Sequence, residues 1–328
     1  MAAQQRHELA GPSASKRLIG VLSTIGMRLY SCHWRVCVWR PYPARARPRQ
    51  CACQVVADTA IVTFRMVPGG LRRQHGAFPY HMAMPYSAPS LTLLATEPVR
   101  AAVEYARMRF MSRYAFPRGD DHPVVIFPGL ATDNSFTAPL TRHCEALGYT
   151  AYDWGRGYNT GPEGDVKAWL ETLTRDVQSM VRHRSEKITL IGWSLGGIYA
   201  REIAKLLPRR IRQVITIGTP LGGTESTNVA WLYRLMTRHD HGADGRLSER
   251  LRRSPPVPTS AIYSRRDGIV AWQACRQPRA PRTENIEVDS SHLGLTWHPD
   301  VLAIIADRLA QTAGAWRPWR PSDARQAA

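Results

Sequence analysis

Two hydrophobic periods alternate along the chain, and this alternation predicts an α/β architecture. Short apolar runs of strand length are separated by longer stretches in which apolar residues recur every three to four positions. The predicted strands are 124–130, 149–155, 187–193, 211–219, 259–265 and 284–290, and the predicted helices are 97–114, 135–147, 166–184, 196–207 and 301–309. Strands that alternate with helices are joined by right-handed crossovers, so we expect a mostly parallel sheet with helices on both faces.

The first predicted helix, over residues 97–114, has an apolar stripe. Val99, Val103 and Phe110 fall on one side at helical spacing, whereas charged residues such as Glu104 mostly fall off it. Amphipathic helices of globular proteins turn such a stripe toward the core. We therefore expect the two valines to be buried.

Residues 221–257 interrupt the alternation and indicate an insertion. The stretch contains no obvious strand, yet it carries several aromatic and aliphatic side chains. It leaves at the end of a predicted strand, and ligands of open α/β sheets bind beyond the carboxyl ends of the strands. We expect a small lid in which Trp231, Leu232 and Leu235 contact substrate; the alternative is a surface subdomain whose aromatic residues form their own core.

Composition separates the first quarter of the chain from the rest. Residues 1–83 hold 12 Lys and Arg against 2 Asp and Glu, and four of the six cysteines, whereas the remainder holds 32 against 24. We interpret this basic low-complexity segment as disordered or as not native, with translation beginning near Met82 or Met84. A zinc site and a targeting segment are weaker alternatives. After it we expect a helical lead-in over 84–120, an α/β domain over 121–315 that includes the insertion, and a tail over 316–328.

The net charge and the cysteine content limit which partners and which cellular compartment we expect. A net charge of +18 normally indicates nucleic acid or an anionic surface. Because more than half of it lies in the basic segment, we expect no nucleic-acid partner. No apolar run reaches the roughly 20 residues that span a bilayer, so we expect no stable membrane insertion. Cys144 and Cys275 make no disulfide framework, and the cytoplasm is the expected compartment. Protein partners are not indicated.

A glycine-rich hexapeptide, "GWSLGG", follows one predicted strand and opens the next helix. This context is typical of a nucleophile elbow, in which a serine takes a strained backbone conformation at a tight strand-to-helix turn. Side chains two residues before and after the serine would collide there, which fits Gly192 and Gly196. We therefore expect Ser194 to be a nucleophile; the alternative is a turn softened by glycine.

A serine nucleophile needs a base and an acid that orients the base. Asp267 follows a predicted strand and is the expected acid, in preference to Asp153 and Asp289. The alternative is a solvated turn residue paired with Arg265 or Arg266.

His292, in a loop after the last predicted strand, is the expected base. Its rival His298 precedes Pro299 in the manner of a helix cap.

An oxyanion formed during acyl transfer requires two N–H donors. The residue after the nucleophile, Leu195, is one expected donor. The loop after the first predicted strand supplies the other. Pro128 has no N–H, so Leu130 is the expected donor, with Gly129 allowing a close approach of the backbone.

Four sequence blocks together resemble the α/β-hydrolase superfamily, in particular its lipase/esterase branch. They are "VVIFPGL", "ITLIGWSLGG", "VITIGTPLGG" and the pair "YSRRDGIV" with "SHLGL". The resemblance covers about residues 123–313 and implies an α/β-hydrolase fold. It assigns the nucleophile to Ser194, the acid to Asp267, the base to His292 and the oxyanion donors to Leu130 and Leu195. The chain departs from many relatives at Pro128, where they have histidine.

These expectations converge on a serine hydrolase that cleaves carboxylic esters through an acyl-enzyme, with a small-molecule ester or acyl substrate. No metal or organic cofactor is expected. An acyltransferase or thioesterase on the same scaffold is the alternative, and a non-catalytic binding protein is a weaker one. His239, Asp240, His241 and Asp244 have a metal-like composition, but we interpret them as solvated loop residues.

Overall fold

A six-stranded parallel sheet underlies the larger part of the chain, as seen in a computed structural model. The description covers residues 86–109, 116, 118–222, 250 and 253–320, and the backbone of two short strands before them. The chain divides into two compact units, Met1–His81 and Met82–Ala328.

In the first unit, β1 (Ala52–Ala57) and β2 (Ala60–Arg65) pair as an antiparallel hairpin, within the segment that the sequence analysis interprets as disordered or not native. The remaining residues before Tyr86 lie outside the described part. The interpretation of residues 1–83 as disordered or not native therefore stays a prediction.

The sheet brings the carboxyl ends of all its strands to one edge. Its strands are β3 (Pro123–Phe127), β4 (Thr150–Asp153), β5 (Ile188–Trp193), β6 (Ile211–Ile217), β7 (Thr259–Ser264) and β8 (Thr283–Val288). They lie in the order β4-β3-β5-β6-β7-β8, and each neighbouring pair is parallel. The predicted parallel α/β architecture is confirmed.

Five α-helices of at least 12 residues accompany the sheet in the described residues. They are α1 (Leu91–Arg109), α2 (Asn134–Ala146), α3 (Val166–Met180), α4 (Leu195–Leu206) and α5 (Pro299–Ala310). His298 caps α5, because its Nδ1 accepts the N–H of Asp300 at 3.2 Å and Pro299 occupies the first helical position. The interpretation of His298 as a helix cap is confirmed.

Side chains alternate along the strands, and this alternation divides most of the core into two large clusters, one on each face of the sheet. On β3, Val124 and Ile126 belong to one cluster, and Val125 and Phe127 belong to the other. Side chains of α2 and α5 fill the first cluster, whereas α3 and α4 fill the second. Helices on both faces, as predicted, leave the sheet edge as the place where loops meet.

The structure turns α1 to the face opposite the predicted one. Val99 is 68 % exposed and Val103 is 49 % exposed, whereas Glu97, Ala101 and Glu104 are buried. The prediction of a buried valine stripe is therefore wrong. The loops beneath α1 present backbone N–H groups and serine hydroxyls, and buried donors of this kind require acceptors.

The insertion between β6 and β7 lies largely outside the described residues, which stop at Gly222 and resume fully at Arg253. The predicted lid residues and the His239–Asp244 stretch fall in this gap, so their roles stay predictions. Among the described residues, no helix is both long and apolar enough to cross a membrane.

Candidate active site

Ser194 joins β5 to α4 in a strained backbone conformation. Its φ is 53° and its ψ is −124°, in a region that non-glycine residues rarely adopt. Such conformations cost about 1–3 kcal/mol and persist where the surroundings hold them. Here the N–H of Ser194 donates to Ile217 O at 2.8 Å, and the side chain stays half-buried.

Close packing around this turn excludes side chains at three positions. A Cβ at Gly192 would overlap the backbone of Gly196 and Gly197, and one at Gly196 would lie 2.6 Å from Pro128 O. These are main-chain atoms that cannot move aside, which agrees with the crowding expected at Gly192 and Gly196. Gly197, which the sequence analysis does not single out, lies against a side chain instead, because a Cβ there would overlap the side chain of Thr219.

Asp267 and His292 form a buried pair at the carboxyl edge of the sheet. Each is 2 % exposed, and His292 Nδ1 lies 2.6 Å from Asp267 Oδ2. The other oxygen, Oδ1, accepts the N–H groups of Ile269 at 2.8 Å and Val270 at 2.7 Å. Because a carboxylate only accepts, the imidazole carries its proton on Nδ1 and leaves Nε2 as an acceptor.

Neighbouring charges have partners of their own, which leaves Asp267 to the imidazole. Arg265 pairs with Glu287 at 2.9 Å, and Arg266 pairs with the exposed Asp289 at 3.2 Å. The alternative in which Asp267 is a solvated partner of one of these arginines does not hold in the structure.

Opposing effects act on the pKa of His292. Burial lowers the pKa, since it disfavours the charged imidazolium. The charge of Asp267, the hydrogen bond to it and the charge of Glu97 act in the other direction. The balance is a pKa above the usual value for histidine.

Ser194 and His292 flank the same stretch of backbone, the peptide between Ile217 and Gly218. Ile217 O accepts the N–H of Ser194, and a Cβ at Gly218 would lie 3.1 Å from two ring atoms of His292. Trp193 adds a direct link, since its indole N–H donates to His292 O at 3.1 Å. The serine turn and the histidine loop are therefore neighbours.

Two backbone amides border the serine, as the sequence analysis expects for oxyanion donors. Leu195 is the first residue of α4, and Leu130 lies in the turn after β3. Within the described part of the chain, neither N–H donates to another protein group. A Cβ at Gly129 would lie 3.2 Å from Ser194 Cβ, so the turn runs against the serine.

Asn159 holds this turn in place and is a residue that sequence reasoning missed. It is fully buried, and its side-chain amide donates to Pro128 O at 2.9 Å. Its backbone N–H donates to Thr132 O, and its carbonyl accepts the N–H of Ala131, both at 2.8 Å. Its Oδ1 accepts the hydroxyl of Tyr199 at 3.2 Å. No local sequence signal marks this role, because the partners lie about 30 residues away.

The described residues contain no cluster of candidate metal ligands. Within them, no group of three or more His, Cys, Asp or Glu side chains is placed to share an ion. The arrangement at the sheet edge offers instead a hydroxyl, a paired imidazole and two backbone N–H groups.

A sequence model of the alpha/beta hydrolase family matches residues 124–326. No curated protein matches the chain significantly. Among solved structures, the monoacylglycerol lipase of Paleococcus ferrophilus is similar at 15 % identity, over 60 % of this chain and 96 % of that one, with a TM-score of 0.45. The mature lipase BlEst2 of Bacillus licheniformis is similar at 16 % identity, over 62 % and 95 %, with a TM-score of 0.47. Likenesses at this level say nothing about the substrate.

Proposed function

Since the chain belongs to the alpha/beta hydrolase family, we propose that it is a serine hydrolase that cleaves carboxylic esters through an acyl-enzyme. The observation that carries the proposal is the buried Asp267–His292 pair, 2.6 Å between Oδ2 and Nδ1, at the same sheet edge as the strained Ser194. An imidazole held by a carboxylate activates a neighbouring hydroxyl, and this activation is what a serine nucleophile needs.

The reaction proceeds in two balanced halves. Ser194 Oγ attacks the ester carbonyl while His292 Nε2 takes the hydroxyl proton, and Asp267 stabilises the resulting imidazolium. The tetrahedral intermediate collapses when Nε2 returns the proton to the leaving alcohol, which leaves the acyl group on the serine. Water then attacks the acyl carbonyl while Nε2 takes its proton, and Nε2 returns that proton to Ser194 Oγ as the acid leaves. The N–H groups of Leu130 and Leu195 stabilise the oxyanion, each by about 3–4 kcal/mol.

The substrate side of the proposal rests on the sequence alone. Trp231, Leu232 and Leu235 are proposed to contact an acyl or otherwise apolar part of the ester, since they belong to the insertion that follows β6. Ligands of such sheets bind at the carboxyl edge, where this insertion leaves the sheet.

Hydrolysis of a short nitrophenyl ester tests the proposal. We expect Ser194→Ala to lose at least about 10⁴-fold in kcat. Ser179→Ala, at an exposed position near the end of α3, is the matched control and should keep the wild-type rate. Equal turnover by wild type and Ser194→Ala would refute the proposal. Adding an alcohol or thiol acceptor and identifying the acyl product separates hydrolysis from acyl transfer.

A further inference from the structure

Helix α1 reaches both the acid and the base of the proposed site through one carboxylate. Glu97 is 2 % exposed. Its Oε1 accepts the N–H of Gly268 at 2.7 Å and the N–H of His292 at 3.1 Å, and its Oε2 accepts the N–H of Leu293 at 3.1 Å. Because Gly268 is the residue after Asp267, a single side chain ties together the backbones of the two loops.

Glu104 adds a second attachment to the same histidine loop. It lies seven residues after Glu97, two helical turns away and on the same face. Its Oε1 accepts the N–H of Ser291 at 2.9 Å. Its Oε2 accepts the hydroxyl of Ser291 at 2.7 Å and that of Ser290 at 3.0 Å. The residues on both sides of His292 are thus bound to α1.

The packing between α1 and the two loops leaves no room for a side chain at two glycine positions. A Cβ at Gly268 would lie 2.5 Å from the carbonyl carbon and oxygen of Leu93, and one at Gly294 would overlap the carboxylate of Glu104. Glycine at these two positions lets the helix and the loops approach closely. The close contact therefore depends on residues of α1 and on the glycines of the two loops.

The burial of two carboxylates between α1 and the loops carries a large desolvation free energy. A charge removed from water destabilises the fold unless donors converge on it. Here the donors come mainly from the two loops, so the carboxylates are satisfied only when the loops keep this geometry. An apolar contact would stabilise α1 without fixing the loops in this way, because hydrophobic burial is not directional.

The carboxylate of Glu97 also acts on the charge of the imidazole. The charged groups that face the histidine loop are Asp267 from the loop after β7, and Glu97, Glu104 and Arg100 from α1. Arg100 is paired with Glu97 at 2.8 Å. Trp193, the last residue of β5, and Gly218, which follows β6, pack on the ring and bring no charge. Removing the charge of Glu97 therefore favours the neutral imidazole.

We propose that Glu97 and Glu104 are positioning residues of the esterase, holding the Asp267 loop and the His292 loop in register so that the imidazole is aligned with Ser194. The inference rests on the proposed function and extends it to a helix that precedes the family-matched residues 124–326. Neither glutamate contacts substrate in this account; both act through His292.

Glutamine at the two positions has unequal effects, because their donors differ. At Glu97 both oxygens face backbone N–H groups, and an amide NH₂ in place of either oxygen sets donor against donor. At Glu104 one oxygen faces hydroxyls, which rotate and accept from an amide. Glu97→Gln should therefore disturb the histidine loop more than Glu104→Gln does.

The experiment measures kcat, KM and the pH profile of kcat/KM for an activated ester in the full chain. Misplacement of a catalytic group by about 1 Å costs about 100-fold. We expect Glu97→Gln to lower kcat by about 10- to 100-fold, leave KM unchanged and move the acid limb to lower pH. Glu104→Gln should stay within about threefold of wild type, and Glu104→Ala should lose about tenfold in kcat.

Glu284→Gln is the matched control. Its carboxylate belongs to a side chain that is 9 % exposed, and it likewise accepts a backbone N–H, from Trp319 at 2.6 Å, a serine hydroxyl, from Ser260 at 2.5 Å, and an arginine N–H, from Arg308 at 2.6 Å. It lies near the start of β8, at the opposite edge of the sheet from the site. It should change thermal stability while kcat and the acid limb stay at wild-type values.

The outcomes distinguish the two proposals. Wild-type kcat and an unmoved acid limb in Glu97→Gln, in an enzyme that Ser194→Ala inactivates, would overturn the positioning role and leave the esterase in place. If Ser194→Ala stays active, both proposals fall together. Should Glu97→Gln not fold, equal activities of Glu104→Ala and Glu104→Gln would overturn the inference, and the expected difference between them would support it.

Discussion

At the scale of the residue, the proton balance of His292 governs the proposed reaction. Burial alone would lower the pKa of the imidazole, but the charges of Asp267 and Glu97 raise it above the usual 6.5. A general base must be neutral to accept the proton of Ser194. The same charges that favour the imidazolium in the transition state therefore narrow the pH range over which the resting enzyme is active.

We predict that the acid limb of kcat/KM lies above pH 6.5, because activity is lost as pH falls through the raised pKa of His292. The contribution of the Asp267–His292 pair to the free energy of unfolding depends on pH in the opposite direction from the activity. A raised pKa stabilises the fold fully below the unfolded value and loses this effect as pH rises through the folded value. Initial rates across pH 4–9, about the span in which histidine titrates, measure the limb. An acid limb at or below pH 6.5 would contradict the account.

Asp267 and His292 could be predicted as partners from the sequence, because each follows a strand whose carboxyl end lies at the site. The position of a strand end can be read from hydrophobic patterning, so residues just beyond such ends can be predicted. Ser264 could not be identified in this way. Its hydroxyl accepts the N–H groups of Arg266 and Ser290, and it bridges the two loops from within a buried strand. A polar residue inside an apolar run carries no signal of its partners.

At the scale of the element, the turn after β3 depends on Asn159 for its shape. The side chain fills hydrogen-bonding positions on Pro128, Gly161 and Tyr199, all of them away from solvent. Ala131 in this turn has a φ of 60°, a conformation that the surrounding bonds must maintain.

We predict that Asn159→Ala lowers the free energy of unfolding by about 1–3 kcal/mol, because a buried carbonyl and a buried N–H lose their partners. It should also lower kcat more than it raises KM, since the donor Leu130 belongs to the same turn. Urea unfolding and ester kinetics measure the two effects. Tyr199→Phe, which removes one hydroxyl from the same asparagine, is the milder control. Loss of stability with unchanged kcat would show that the turn supplies no oxyanion donor.

Helix α1 marks the limit of prediction from hydrophobic patterning. Its existence was predicted, although it begins at Leu91 rather than at residue 97, and Pro98 lies inside it instead of near its start. Its orientation was not predicted, since the pattern favours burial of the valines, and acidic residues normally face solvent. The deciding partners of Glu97 and Glu104 lie almost 200 residues further along the chain. Only the folded chain reveals that these acceptors match buried donors.

At the scale of the whole molecule, the two-faced core explains why the architecture could be predicted. Each central strand must supply apolar side chains to both clusters, so it appears in the sequence as a continuous apolar run. The insertion after β6 shows no such pattern in the sequence, so its structure could not be predicted. The expectation of no nucleic-acid partner, which rests on the concentration of the +18 charge in residues 1–83, stays a prediction.

Two buried thiols give a test of the described packing, since Cys144 lies in one of the two main clusters and Cys275 lies in a small cluster with Tyr263 and Val270. Burial raises the pKa of the Cys144 thiol to about 12 and raises that of Cys275 well above its usual value. We predict that both resist a maleimide in native buffer and react only as the protein unfolds, because the thiolate is the reactive form. Peptide mapping distinguishes labelling of Cys144 and Cys275 from labelling of the cysteines in residues 1–83. Rapid native labelling of either thiol would contradict the described packing.

The central claim is that the fold makes one serine unusually reactive, and a fluorophosphonate probe measures this reactivity without knowledge of the substrate. We predict that the probe modifies the peptide containing Ser194 in native protein, and that Ser194→Ala, His292→Ala and prior unfolding each abolish the modification. Absence of labelling in folded wild type, or equal labelling of Ser194→Ala on that peptide or another, would contradict the account.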